Sequence, residues 1–98
     1  MRVEITDFAE KDLEEGYLFY EQQRFGLGTY FLDALYSDID SLCFYGGIHP
    51  KLWGYYRLLS KKFPFAVYYS VAEDTLLVGA VLDCRRNPSW IRKKLKDL

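Results

Sequence analysis

The sequence has few of the residues that build metal sites and covalent nucleophiles, with two cysteines and one histidine among 98 residues. Two cysteines without a Cys-x-x-Cys spacing are too few for a disulfide scaffold or a zinc site. We expect Cys43 and Cys84 to be buried, reduced thiols. His49 alone cannot form a histidine-based metal cluster. The sequence therefore predicts neither a metal nor a cofactor.

Several functional motifs and targeting segments are also missing. The chain has no Gly-x-Ser-x-Gly motif, and Gly26 and Gly28 lie between two predicted helices, where a phosphate-binding loop is not expected. Met1–Ile5 does not have the character of a secretory signal, and no apolar run reaches the roughly 18 residues that span a bilayer. We therefore expect a cytoplasmic protein with no membrane segment.

Apolar and aromatic residues are abundant, at 50% and 18% of the chain. This composition is typical of a chain with a packed core and unlike that of a disordered adaptor. The length predicts one domain over residues 1–98. A domain of this size has one core and little room for a deep, enclosed substrate pocket.

The charges are divided unevenly along the chain, although the net charge is only −1. Residues 1–49 carry three basic and ten acidic residues, a balance of −7, whereas residues 50–98 carry ten basic and four acidic residues, a balance of +6. This asymmetry favours an anionic or nucleic-acid-associated partner on one face. A charge pattern that only aids solubility is the alternative.

Apolar periodicity predicts the order strand, helix, helix, strand, strand, strand, helix. Asp7, with Glu10 three residues later, predicts the start of the first helix, and Asn87-Pro88 predicts the start of the last. The predicted ranges are strands at 2–6, 53–60, 65–71 and 75–83, and helices at about 7–23 and 29–45 and from 88 onward.

These elements predict an α+β fold with a helical hairpin packed on one face of a small twisted antiparallel sheet, a short N-terminal strand and a short C-terminal helix. The apolar stripe formed by Ile91, Leu95 and Leu98 is expected to dock the last helix. The other face of the sheet is expected to stay open and to receive residues of the basic half.

Basic and aromatic residues near one end of the sheet form the candidate site. Arg57, inside a strand, needs an open surface or an ion pair with a helix acid. Arg85 and Arg86 follow the central strand and precede the last helix, so they are placed to bind an anion together. Trp90 is placed to stack on a base or a partner side chain, unless it is a core residue. The candidates for target binding or an active site are Arg57, Lys61, Lys62, Arg85, Arg86, Trp90 and Lys93.

Three segments resemble the RelE/ParE toxin superfamily, and the ParE-like plasmid stabilisation proteins most closely. They are Tyr56-Arg57-Leu58-Leu59, the run from Lys62 to Tyr69, and the run from Val78 to Pro88. Phe8-Ala9-x-x-Asp12-Leu13 and Phe19-Tyr20 also fit, so that the similarity extends over nearly the whole chain in the right order.

The resemblance implies a toxin of a type II toxin–antitoxin pair, neutralised by a cognate antitoxin that wraps across the sheet and helices. ParE-like members poison DNA gyrase without hydrolysis, whereas RelE-like members cleave messenger RNA in the ribosome, often with a C-terminal tyrosine. No tyrosine follows Tyr69, and the pI of about 5.8 is low for docking on ribosomal RNA, which favours the ParE-like function.

Two further expectations concern toxicity and oligomeric state. Asp83 stands where many relatives have histidine, so a non-toxic binding protein with the toxin fold is a third alternative. A homodimer is a further candidate partner.

Overall fold

The computed structural model describes residues 1–98 as five strands and three helices. In chain order they are β1 (Arg2–Ile5), α1 (Asp7–Gln23), α2 (Leu27–Tyr45), β2 (Lys51–Leu52), β3 (Tyr55–Leu59), β4 (Phe65–Ala72), β5 (Thr75–Asp83) and α3 (Pro88–Lys96). The α+β class and the arrangement of helices and strands expected from the sequence are confirmed.

The five strands form one sheet in the order β1-β5-β4-β3-β2. Strands β2 to β5 are antiparallel neighbours, as their short links predicted, and β1 joins β5 in parallel, so the complete sheet is mixed. Strand β5 is an interior strand, paired with β1 on one side and β4 on the other, which agrees with its nearly continuous apolar run. The short β2 was not expected. It forms because Trp53 and Gly54 make a two-residue turn that folds Leu52 back onto Tyr55.

Helix α1 has the predicted range, Asp7–Gln23, but a different residue caps it. Thr6 is the cap: its Oγ1 accepts a hydrogen bond from the Ala9 N–H at 3.1 Å. Asp7 is therefore the first helical residue, and the expectation that it caps the helix was wrong. Asp7 and Glu10 still lie in the first turn, where acids stabilise the positive end of the helix.

The turn between α1 and α2 is closed by one side chain. The Glu21 carboxylate accepts hydrogen bonds from the N–H groups of Gly26, at 3.1 Å, and Gly28, at 2.9 Å. Gly26 has a φ of +87°, a conformation that favours glycine. Because Glu21 satisfies the free N–H groups at this end, α2 begins at Leu27, two residues before the predicted start.

Buried residues lie on both faces of the sheet, and a β-bulge at Gly79 sets which residues of β5 face each side. Tyr68 pairs with Ala80 and Tyr69 with Val78, so that Gly79 is the extra residue of β5. A bulge shifts the in–out alternation by one residue. Val78 therefore packs on the helical-hairpin side of the sheet, whereas Ala80 packs on the opposite side.

The larger core lies between the sheet and the helical hairpin. The members of this core are Ala9, Leu13, Tyr20, Phe31, Leu35, Ile39, Leu42, Phe65, Val67, Tyr69, Leu76, Val78 and Val81. The two helices approach closely at Gly16, where a Cβ atom would lie 2.5 Å from the Phe31 ring.

The smaller core lies under α3, on the other face of the sheet. It consists of Ala66, Tyr68, Ala80, Leu82, Ile91 and Leu95. The predicted docking of α3 through Ile91 and Leu95 is confirmed, whereas Leu98 is 40% exposed. The face that was expected to stay open is therefore partly covered.

Two further observations concern side chains and helix length. Cys43 and Cys84 are both exposed, so the expectation of buried thiols was wrong. The Cys43 thiol donates a hydrogen bond to the Met1 carbonyl oxygen at 3.3 Å, and Cys84 lies just past the end of β5, where its side chain is only partly covered. None of the helices has the length and apolar character needed to cross a bilayer.

Candidate functional site

The fold separates the charges of the chain onto opposite faces of the sheet. Helix α1 carries six acidic residues and one basic residue, and α2 adds three acidic residues. Helix α3, on the other face, carries four basic residues and no acidic residue. The division between the two halves of the sequence has therefore become an acidic hairpin face and a basic α3 face.

Arg85 is held by the last residue of β5. The Asp83 carboxylate accepts hydrogen bonds from the Arg85 guanidinium at 3.0 Å and 2.7 Å, and from the Arg85 backbone N–H at 2.8 Å. These hydrogen bonds hold the pKa of Asp83 below its usual value. The Tyr20 hydroxyl of α1 lies beside the same guanidinium. Arg85 is thus directed toward the helical hairpin and its charge is compensated.

Arg86 takes the opposite direction. Its guanidinium lies over the Trp90 ring, 3.8 Å from the ring centroid, and the Lys94 ammonium lies 5.5 Å from the same centroid. Trp90 also packs against the smaller core. The two adjacent arginines are therefore held by different partners, and Trp90 is both a packing residue and a support for two cations.

A cleft of about 290 Å³ runs between α1 and α3 along the free edge of β5. Asp83, Arg86 and Trp90 line it together, so these residues from the end of the sheet do meet at one site. The rest of the lining comes from Phe65, Val81 and Leu82 of the sheet and from Asp12, Glu15, Gly16 and Phe19 of α1.

Asp12 is the residue of this cleft that sequence reasoning did not select. Its Oδ2 accepts a hydrogen bond from the Val81 N–H at 3.0 Å. This N–H lies on the edge of β5 beyond the end of β1, where no strand supplies an acceptor. Burial raises the pKa of Asp12 to about 6, although the Val81 hydrogen bond and Lys94 act in the opposite direction. The available signal was its place in α1, three residues after the buried Ala9, beside the apolar stripe.

Arg57 lies on the α3 side of the sheet, paired across the strands with Tyr68. It has no carboxylate partner, so the interpretation as an ion pair with a helix acid was wrong. Burial raises the pKa of the Tyr68 hydroxyl, and the neighbouring Arg57 guanidinium lowers it in part. Burial likewise raises the pKa of the Cys84 thiol, which Arg57 also opposes. Arg57 therefore remains an unpaired cation on this face.

The three lysine candidates do not gather at the cleft. The Lys62 ammonium lies 5.2 Å from the centroid of the Tyr30 ring, on the hairpin side. Lys61 is exposed in the loop that joins β3 and β4, and Lys93 is exposed on α3. His49 is engaged elsewhere, by a hydrogen bond with the Tyr69 hydroxyl, which also accepts one from the Gly47 N–H. No group of three or more potential metal ligands is present.

Comparison with known proteins bears on the fold. No protein-family model matches the sequence, and a comparison with curated protein sequences found no significant relative. The structure is similar to a chain of the chromosomal ParDE TA system from P. aeruginosa, with a TM-score of 0.72 and 16% sequence identity over 83% of this chain and 92% of that chain. The chain therefore has the fold of a ParDE system protein, as the resemblance to RelE/ParE toxins predicted.

Proposed function

We propose that residues 1–98 form the toxin of a type II toxin–antitoxin pair, in which a ParE-like domain inhibits DNA gyrase and is neutralised in the cytoplasm by a cognate antitoxin. The observation that carries the proposal is the shared fold with the ParDE system protein, which extends over 92% of that chain. The sequence segments that resemble ParE-like toxins add independent support. They include the run from Val78 to Pro88, which contributes Asp83 and Arg86 to the cleft.

The surface supports a protein partner. Phe25 is 96% exposed and Phe44 85% exposed, and Tyr45 and Ile48 are exposed beside Phe44 in the chain. Large apolar side chains in such positions mark interaction surfaces. A disordered antitoxin that folds on binding would cover them and would complement the acidic hairpin with basic residues.

The chemistry of the basic face favours an inhibitor over a nuclease. Arg85 is compensated by Asp83, and Arg86 lies on Trp90, so neither guanidinium is free of a partner. Strand cleavage by 2′-hydroxyl attack also needs proton transfer. Tyr68 is buried with a raised pKa, and His49 lies with Tyr69 and Gly47 rather than at the cleft. Neither side chain is therefore placed to transfer a proton at the cleft.

One observation favours a second candidate function, a RelE-like ribosome-dependent endoribonuclease. Asp12 lines the cleft with Arg86, and its pKa of about 6 is close to the value required of a general base. In this alternative Asp12 accepts the proton and Arg86 stabilises the phosphate. The hydrogen bond from the Val81 N–H occupies one of the two Asp12 oxygens.

Induced expression in a bacterial host distinguishes the two functions. Growth arrest with a DNA-damage response and intact messenger RNA would support gyrase inhibition, and the purified protein would then block supercoiling by gyrase. Growth arrest with cleaved messenger RNA and no damage response would establish the endoribonuclease. Normal growth with folded protein present would overturn both and leave a non-toxic binding protein.

Paired variants connect the outcome to the two arginines at the end of β5, of which Arg86 lines the cleft. We expect Arg85→Ala combined with Arg86→Ala to abolish toxicity in a chain that stays folded. Arg2→Ala combined with Arg24→Ala removes the same charge from exposed positions outside the cleft and should leave toxicity unchanged. Full toxicity of the Arg85→Ala, Arg86→Ala variant would show that these arginines are not part of the proposed site.

A further inference from the structure

The β2–β3 turn holds a tryptophan in a conformation that tryptophan rarely adopts. Trp53 has a φ of +52° and Gly54 a φ of +87°, as a two-residue turn with positive φ at both positions requires. Asparagine, aspartate and glycine are the residues that such turns prefer, because a bulky side chain at positive φ is disfavoured. An unfavourable residue at a turn is a reason to look for a role of its side chain.

The Trp53 ring takes part in no aromatic or cation–π pair, in contrast to Trp90. Two cations of the chain lie on the Trp90 ring. No cation and no aromatic ring of the chain lies on the Trp53 ring, and this residue is 40% exposed. The face of Trp53 is therefore available for stacking, and it is the better stacking candidate of the two.

Trp53 forms one wall of a second cleft, of about 380 Å³, between the β2–β3 turn and α3. Tyr55 and Leu95 also line it, and Arg92 and Lys96 of α3 complete the lining. Neither of these two cations has a carboxylate partner, since the ion pairs of the chain are Arg2 with Glu4 and Arg85 with Asp83. The cleft thus combines aromatic surface with two uncompensated positive charges.

We infer that this cleft binds single-stranded nucleic acid, with an unstacked base on Trp53 and the adjoining phosphate between Arg92 and Lys96. Base stacking on an aromatic side chain beside a basic groove is the usual means of holding single strands without sequence preference. Arg57 follows Tyr55 on the same face of β3 and extends the positive surface. The inference goes beyond gyrase inhibition, because neither the fold nor the 290 Å³ cleft requires nucleic-acid contact.

The acidic pI of the chain does not oppose this inference, because the acids lie elsewhere. The acidic residues of the hairpin are on the opposite face of the sheet, and no acidic side chain lines the 380 Å³ cleft. An acidic peptide would satisfy Arg92 and Lys96 equally well. Such a peptide has no base to stack on the Trp53 ring, so single-stranded nucleic acid fits this cleft better.

Fluorescence anisotropy with a labelled octamer of deoxythymidine, and with the corresponding uridine octamer, tests the inference on the full chain. We expect binding that weakens with salt, and an affinity reduced about tenfold or more in the Trp53→Asn variant, which is the range of one base stack. Asparagine suits the positive φ of the turn, so this variant keeps the hairpin while removing the ring. Arg92→Ala with Lys96→Ala should lower the salt slope by about 0.7, the value for one phosphate contact on a single strand.

Two matched controls separate base stacking on Trp53 from general attraction between charges. Arg2→Ala with Arg24→Ala changes the net charge equally and should leave the affinity unaltered. An octamer that lacks bases should bind the parent chain and the Trp53→Asn variant with equal affinity. Equal affinity of parent and Trp53→Asn for deoxythymidine and uridine octamers would overturn the inference, as would absence of binding, or selective binding of a labelled glutamate-rich peptide.

Discussion

Both carboxylate oxygens of Asp83 accept hydrogen bonds from the Arg85 guanidinium, at 3.0 Å and 2.7 Å. The two residues are two positions apart in the chain. The pair lies at the end of β5 and beside the cleft that Asp83 lines. A histidine at this position, as in many proteins of the superfamily that this sequence resembles, would not compensate the arginine in this way. Asp83 therefore sets the charge that the end of the sheet presents to a partner.

If the chain inhibits gyrase as proposed, we predict that Asp83→Asn strengthens the inhibition, because it releases the Arg85 charge without altering side-chain size. In a gyrase supercoiling assay the half-inhibitory concentration should fall several-fold. Asp33→Asn, an equal charge change on the exposed side of α2, is the control and should have no effect. A higher half-inhibitory concentration for Asp83→Asn would show that the ion pair supports the active form.

The Asp12 carboxyl leads to a prediction about pH. Its pKa is raised from 3.8 to about 6, so the folded chain binds this proton more tightly than the unfolded chain does. The contribution of Asp12 to stability is therefore most favourable below about pH 4 and declines as the pH rises through 6. We expect Asp12→Asn, whose amide oxygen still accepts from the Val81 N–H, to remove this component from the melting temperature measured between pH 4 and pH 7.

Asp12→Ala separates the hydrogen bond from the charge. It leaves the Val81 N–H at the strand edge without its acceptor, which costs about 1–3 kcal/mol where water does not replace it. Urea unfolding at neutral pH should place Asp12→Ala below Asp12→Asn in stability. Equal stability of the two variants would mean that water satisfies the Val81 N–H.

The contact between the two helices of the hairpin predicts the effect of a single methyl group. A Cβ atom at Gly16 would lie 2.5 Å from the Phe31 ring, and Phe31 is fully buried in the larger core. Although alanine is the better helix former, we expect Gly16→Ala to destabilise the chain by about 1–3 kcal/mol, because the ring has little space to move. Thermal unfolding of Gly16→Ala measures this loss, and a melting temperature at or above that of the parent chain would contradict the close approach.

Two leucines near the end of α3 test its docking. Leu95 lies within the helix, and Leu98 lies two residues beyond its end. Leu95 is 2% exposed and Leu98 is 40% exposed. We expect Leu95→Ala to reduce the free energy of unfolding by about 2–5 kcal/mol and Leu98→Ala to reduce it by clearly less. Equal losses in urea unfolding would indicate that α3 is not docked through Leu95.

Local chemistry decides which elements were predictable. The start of α3 was predictable from Asn87 and Pro88. The Asn87 side chain accepts a hydrogen bond from the Ser89 N–H, and Pro88 has no N–H that needs an acceptor. The turn at Trp53-Gly54 was missed because tryptophan is a poor signal for positive φ. The bulge at Gly79 was not predicted either, since a glycine inside a strand does not show which partner residues it will separate.

By itself, the sequence determined the order of every element except β2, the two apolar stripes of the hairpin and the division of charge between the two halves of the chain. These depend on side-chain periodicity and on composition, which are local properties. The tertiary structure alone decided that Asp83 holds Arg85, that Asp12 completes the edge of β5, and that Trp53 faces Arg92 and Lys96 across a cleft. Asp12 lies 69 residues from its partner Val81, and pairing at such distances depends on the packing of whole elements rather than on any local signal.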